Sequence, residues 1–371
     1  MANLLALVSF KVFPPQMGGQ KGVAYFYEHL SKHHSIFIAG IKDNELKAGK
    51  IILYTELASN KMMLLNFFSL KKLQKIIQAN NIQCIIAEHS YTGWLGYLLQ
   101  KKMNIPFIIH SHNLESYRFK QMGKWWWKIY WHYEKQIHKK ADHNFFISEE
   151  DLSKGIKEFQ LNEKKCSVIT YGVDPINEKK DARNQLKKIL GIDDGAIFLF
   201  NGTLNYKPNI DAVTFLLNEL DPLLQKESLS YKVVITGNQV TPSLQKQMAA
   251  NPRFIFKGFV EDLELYYQSA NIFLNVVDND SGIKTKVVEA LANNCTVIST
   301  KSGATGIPQD IAGEKLITVN NQDAEQMVKM ILLNIQQKNE AISEAYLNYF
   351  NWDNIAAKAS QKINNLLSIN G

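Results

Sequence analysis

The stretch SGIKTKVVEAL (residues 281–291) lies between the apolar run NIFLNVV (271–277) and NNCTVIST (293–300). Two short apolar runs separated by a segment of helical spacing read as strand, helix, strand, the repeating unit of a parallel sheet. The first strand is left through DNDSG, and two lysines and a glutamate follow on the helical segment. Backbone N–H groups at a glycine turn, fixed cations and a carboxylate that can accept two hydroxyl hydrogens are the equipment for handling an anionic, hydroxylated ligand.

Working outward, the same alternation fills the chain. Upstream, AIFLFNG, DAVTFLLNELDPLL, YKVVITGN and LELYYQSA complete one series, and LLALVSF, YFYEHLSKH, SIFIAGI, LKKLQKIIQANN, CIIAEH, TGWLGYLLQKKM and FIIHSH form another. Strands alternating with amphipathic helices give an α/β fold with a parallel sheet covered on both faces. Two such series in 371 residues make two domains, in line with the usual domain size of ~100 to 200 residues. The charge-rich INEKKDARNQLKKILGIDDG separates them, which sets the boundary at Gly172: residues 1–172, then 173–349.

Composition narrows the class. The chain is 46% apolar and 21% charged, and no run approaches the ~18 apolar residues of a membrane span. The net charge of +7 favours anionic partners without choosing among them. Cys84, Cys166 and Cys295 are odd in number and widely spaced, so they read as reduced core residues of a cytoplasmic protein. The start, MANLLALVSFKVFPP, lacks a basic n-region and a small-residue cleavage site, and is read as a first strand.

In parallel sheets of this kind ligands bind where strand ends lead into helices. In the first series Gly18 and Gly19 follow the first strand, without the GxGxxG or lysine-terminated phosphate-loop pattern. In the second, Asn201, Gly202 and Thr203 end a strand, and Lys207 precedes a helix that Pro208 and Asn209 can start. Gly282 and Ile283 offer backbone N–H groups, Lys284 or Lys286 a counter-charge, and Glu289 a carboxylate for a ribose diol.

The ordered set FNGTLNYKPNIDAVTFL, KGFVEDL, SGIKTKVVEAL and SGATGI, with HSHNLESYRF and the terminal FNWDNIAAKASQKI, resembles the family 4 retaining glycosyltransferases over essentially the whole chain. The resemblance implies the GT-B fold, two facing Rossmann-like domains with a deep cleft, and a last helix, 350–371, returning to the first domain. It implies a metal-independent hexosyltransferase that takes a nucleotide sugar of UDP or GDP type and a glycan or lipid-linked acceptor, in polysaccharide or glycoconjugate synthesis. By position, Glu289 would hold the ribose, Gly282 and Ile283 would lie by the sugar and diphosphate, and Gly237, Asn238, Phe259 and Val260 would line the nucleoside pocket. Lys207 would stabilise the leaving diphosphate. His110, His112, Asn113 and Glu115 would face sugar and acceptor, positioning them or moving a proton.

Two departures stand out. Where relatives carry an acid ahead of Gly282, this chain has Ser281, leaving Asp280 or Ser281 to take part of its role. The arginine common after the strand-end glycine is replaced by Thr203, so Lys284 or Lys286 is expected to supply its charge. The GIKxK form resembles a branch of the family. A nucleotide-sugar epimerase of the same fold and a catalytically silent nucleotide-sugar-binding protein are the alternatives.

His110 and His112 alternate onto one strand face, a spacing that can bind metal, but no third ligand is near in sequence. Asp278 and Asp280 resemble the acidic metal motif of the other major glycosyltransferase fold, which the two strand-helix series argue against. No metal is expected. The segment 124–140, with Trp125, Trp126, Trp127 and Trp131 among lysines, has the composition of a helix meeting anionic lipid, or else of a core-facing aromatic ridge with a solvated basic back. Nucleic acid is not expected, for no reading module is present.

Overall fold

In the computed structural model, residues 1–46, 49–278, 282–335 and 341–370 are described. The chain divides into two compact units. The first contains Met1–Gly172, Gly282, Ile283 and the C-terminal stretch from Tyr349; the second contains the rest of the chain from Val173 to Asn348.

The first unit is built on seven strands: β1 Asn3–Val8, β2 Ser35–Ile41, β3 Ile51–Leu57, β4 Cys84–Glu88, β5 Phe107–Ser111, β6 His143–Phe146 and β7 Cys166–Val168. They pair in the order β3-β2-β1-β4-β5-β6-β7, all parallel. The central strands are near-continuous apolar runs because both faces are covered: every residue of β4 and β5 is buried. Helix Trp352–Asn370 packs on helix Gly18–Leu30 of this unit. Trp352, 2% exposed, seats beside His29 and Tyr171.

The second unit has six parallel strands: β8 Ala196–Asn201, β9 Tyr231–Thr236, β10 Phe254–Gly258, β11 Ile272–Asn275, β12 Thr296–Thr300 and β13 Leu316–Val319. Their order is β10-β9-β8-β11-β12-β13. Phe198, Phe200, Leu216, Ile235, Leu274 and Ile298 anchor its core. The charge-rich stretch read as a linker contains the helix Ala182–Leu190, tied down by Arg183, which donates to Asn271 Oδ1 and to the carbonyls of Gly195 and Ser269.

Strand order reverses between β1 and β4 in the first unit and between β8 and β11 in the second. At such a switch point neighbouring loops leave to opposite faces of the sheet and open a crevice outside the carboxyl ends. Glu88 ends β4 and Asn201 ends β8.

Candidate functional site

At the carboxyl end of β8 three glycines carry the backbone. Gly237 sits at φ +140° after β9, and a Cβ there would overlap the Gly202 carbonyl oxygen. The two turns are laced by Gly202 N–H donating to Thr236 O (3.0 Å), Leu204 N–H to Asn238 O (2.8 Å) and Gly237 N–H to Gly258 O (2.8 Å). Gly202, Thr203, Gly237 and Asn238 thus form one surface. Asn238 Oδ1 is buried within it with no donor.

The helix from the opening stretch is Thr285–Ala292, so Lys284 is its cap residue rather than part of it. Val287, Val288, Ala290 and Leu291 are buried against the sheet. That leaves Lys286 and Glu289, three residues apart and so neighbours on a helix surface, along its flank. Lys286 Nζ donates to Asn201 O (3.2 Å) and Asn209 Oδ1 (3.3 Å) and lies 4.5 Å from the Phe200 ring centroid. Asn209 also donates to Thr203 O (2.9 Å). Burial, with Lys284 adding repulsion, brings the Lys286 ammonium down to about 7. Lys207 is placed differently. It is 82% exposed and paired within its own helix to Asp211 at 2.7 Å.

Tyr267 lies within electrostatic reach of Glu289, and its hydroxyl accepts from Asn201 Nδ2 at 3.4 Å. Burial and then the Glu289 charge push the Tyr267 phenol well above its ordinary range, so it remains a donor. Phe259, at the end of β10, is 68% exposed and Val260 half-buried. Asp280 and Ser281 lie outside the described residues.

In the first unit, Gly18 and Gly19 open helix Gly18–Leu30, and nothing crowds Gly19. Gly282 adopts φ +62°, and a Cβ on it would overlap the Asn113 side chain, so glycine is required there. His110 and His112 do share one face of β5, as alternation requires, and their rings lie 4.3 Å apart. The third group missing from the local sequence comes from β4. Glu88, opposite His110 in register and fully buried, accepts from His110 Nδ1 (3.1 Å), His112 Nε2 (2.6 Å) and the Tyr27 hydroxyl (2.5 Å). These three groups place ligand atoms within 4.8 Å of one another, a grouping of the kind that can hold a metal ion. Burial opposes the Glu88 charge, but His110 and His112 outweigh it and hold the carboxyl well below its usual range. Burial, helped by His110, brings His112 down to about 4 against the pull of Glu88.

Beside them Glu115 accepts from Tyr91 (2.5 Å) and Arg118 Nε (2.6 Å), with His89 Nδ1 at 3.0 Å. Burial opposes its charge, yet His89 and Arg118 bring it down to about 2. His89 itself has φ +60° and ψ 165°. For a residue with a Cβ this conformation costs ~1 to 3 kcal/mol and clusters at functional sites. Glu88 and His89 were not among the sequence candidates. The available signal was a charged EHS at the end of the apolar strand CIIAEH.

Residues 18–176 match the family described as Glycosyltransferase Family 4, and residues 195–337 that described as Glycosyl transferases group 1. The whole chain has the fold of a glycosyltransferase from Rickettsia africae (TM-score 0.76, 16% identity, 99% of this chain and 98% of that one). It also matches HepE of Anabaena, crystallised with UDP-glucose (TM-score 0.72, 13% identity, 100% of both chains). In sequence it is 26% identical over 231 residues to an uncharacterized 44.6 kDa protein in the cps region of Klebsiella pneumoniae, a match taking in 58% of this chain. The chain spans about half of that curated relative, 55% of its length. The chain thus has the GT-B fold, with a domain match to glycosyltransferase family 4 in its first half and to group 1 in its second.

Proposed function

We propose that this chain transfers a hexosyl unit, with retention and without a metal ion, from a UDP or GDP sugar to a hydroxyl of a glycan or lipid-linked acceptor in cell-surface polysaccharide synthesis. The observation that carries this reading is the pairing of Lys286 and Glu289 on one helix flank at the strand switch point of the second unit. Glu289 accepts the two ribose hydroxyls. Lys286, held by Asn201 and Asn209 with few hydrogen bonds of its own, meets the diphosphate as charge develops on the leaving oxygen. A preoriented cation in a water-poor site is the largest available source of transition-state stabilisation, and it supplies the charge that a divalent ion would otherwise bring. The crystallisation of HepE with UDP-glucose supports a uridine diphosphate donor, and the cps-region relative supports a cell-surface product.

The GIKxK branch, a peripheral membrane contact through residues 124–140, and a cytoplasmic location belong to the same proposal. Lys207 serves the diphosphate in it only if the Asp211 pair opens.

The test is thermal stabilisation of wild type and Glu289→Ala by UDP, GDP, ADP, dTDP and their sugar conjugates. Stabilisation by one nucleotide family, lost in the variant, supports the donor site. Product analysis then separates transfer with retention from epimerisation. If folded wild type responds to none of them, the transferase reading fails in favour of a retained scaffold. Unchanged turnover in the presence of EDTA is expected.

A further inference from the structure

An ionised carboxylate only accepts hydrogen bonds, so each group around Glu88 must present a hydrogen to it. That requirement assigns Nδ1–H to His110, Nε2–H to His112 and the hydroxyl hydrogen of Tyr27 to Glu88. The two rings are left with different prospects. His110 is 2% exposed and its Nε2 is buried without a partner among the described residues, so it is closed off from a ligand. His112, just past the end of β5, is 12% exposed, and its Nδ1 takes no hydrogen bond among the described residues.

We propose that Glu88 is a positioning residue that locks His112 in the Nε2–H tautomer, leaving Nδ1 as a lone-pair acceptor for a substrate hydroxyl. This role rests on the transferase reading above, because it presumes a hydroxylated substrate beside β5. Three features of the fold make it a built arrangement. Register between β4 and β5 sets Glu88 opposite His110. Strand alternation brings His112 to the same face, and Tyr27 of helix Gly18–Leu30 reaches the carboxylate from another element. The ring of His112 is further held between His110 at 4.3 Å and His89 at 4.8 Å.

The test is a long-range ¹H–¹⁵N spectrum of protein labelled with ¹⁵N-histidine, which tells protonated from unprotonated ring nitrogens without any turnover. His112→Ala assigns the ring. In wild type, His112 is expected to show a protonated Nε2 and an unprotonated Nδ1. In Glu88→Gln, whose amide can donate as well as accept, its signals are expected to move toward a mixture of tautomers, while Tyr27→Phe leaves them in place. Protonation of His112 at Nδ1 in wild type overturns the proposal, as does an unchanged pattern in folded Glu88→Gln. If that variant does not fold, the wild-type spectrum decides alone. One equivalent of Zn²⁺ moving the His110 and His112 signals together would also overturn it, assigning the three groups to a metal. Because nucleotide binding does not enter the readout, its failure is distinct from failure of the donor-site test.

Discussion

At the scale of single residues, Lys286 gives the second unit a pH dependence, and Lys315, brought down to about 8 by burial, adds to it in the same direction. The folded value of Lys286, about 7, lies below the ordinary 10.5. Between those values the unfolded chain binds more protons than the folded one, so stability rises with pH across that window. A bound diphosphate reverses the balance by favouring the charged form. UDP binding near pH 8 is therefore expected to take up protons, seen as a calorimetric heat that depends on the ionisation enthalpy of the buffer. Lys286→Met should abolish that uptake and weaken UDP ~10- to 100-fold, the worth of a hydrogen bond to a charged group. Lys207→Met, which removes an exposed pair, should change affinity far less. Tyr267→Phe removes the hydroxyl beside Glu289 and should weaken UDP less than Glu289→Ala does.

At the scale of elements, the surface of Gly202, Thr203, Gly237 and Asn238 depends on backbone that only glycine can follow. At Gly237 a Cβ meets a carbonyl oxygen in a left-handed region, whereas at Gly258, φ +68°, the space is open. Gly237→Ala is expected to cost more than ~2 kcal/mol, through both strain and displacement of the Gly202 turn. Gly258→Ala should cost ~1 to 2 kcal/mol, from conformation alone. Urea denaturation followed by far-UV circular dichroism measures both. The helix Thr285–Ala292 shows how far an element is legible in sequence. Its apolar spacing predicts the buried face, and the two lysines look equivalent. The first helical turn separates them, with Lys286 over Phe200 and Lys284 left at the cap. The tryptophan segment divides in the same way: Trp126 packs on Phe119 and Trp131 on Phe159, while Trp125 is 84% and Ile129 65% exposed. The core-facing ridge is seen at Trp126 and Trp131, while Trp125 and Ile129 stand on the surface.

At the scale of the whole molecule, the two units should respond separately to acid and to truncation. His34, His112, His138 and His143 are each brought down to about 4, chiefly by burial, and all lie in the first unit. Between pH 6.5 and 4 the unfolded chain binds protons that these folded histidines do not. Each therefore lowers stability as pH falls through that window, and hydrogen exchange should show the first unit opening before the second. The C-terminal helix is tied to this unit by His29 to Asp353 (2.7 Å) and His34 to Ser360 (2.9 Å). Trp352→Ala should cost ~3 to 5 kcal/mol, lowering one calorimetric transition and sparing the other. For the proposed membrane contact, Trp125 with Lys124 and Lys128 should carry sedimentation with phosphatidylglycerol vesicles. Replacing the two lysines by glutamine should weaken it, each worth ~1 kcal/mol near an anionic surface. Among the described residues no helix is long and apolar enough to cross a membrane.

The sequence by itself determined the two α/β series, the loops at the strand ends, and the glycines and charged groups of SGIKTKVVEAL, because strand and helix periods and turn chemistry are local properties of a chain. Glu88 beside His110 and His112, Tyr267 near Glu289, and Lys286 rather than Lys207 as the buried cation were decided by tertiary structure alone. Each of those pairings joins residues from different strands or helices. Strand register and the burial that sets a group's charge exist only once the sheets have formed, and nothing in the local spacing records them.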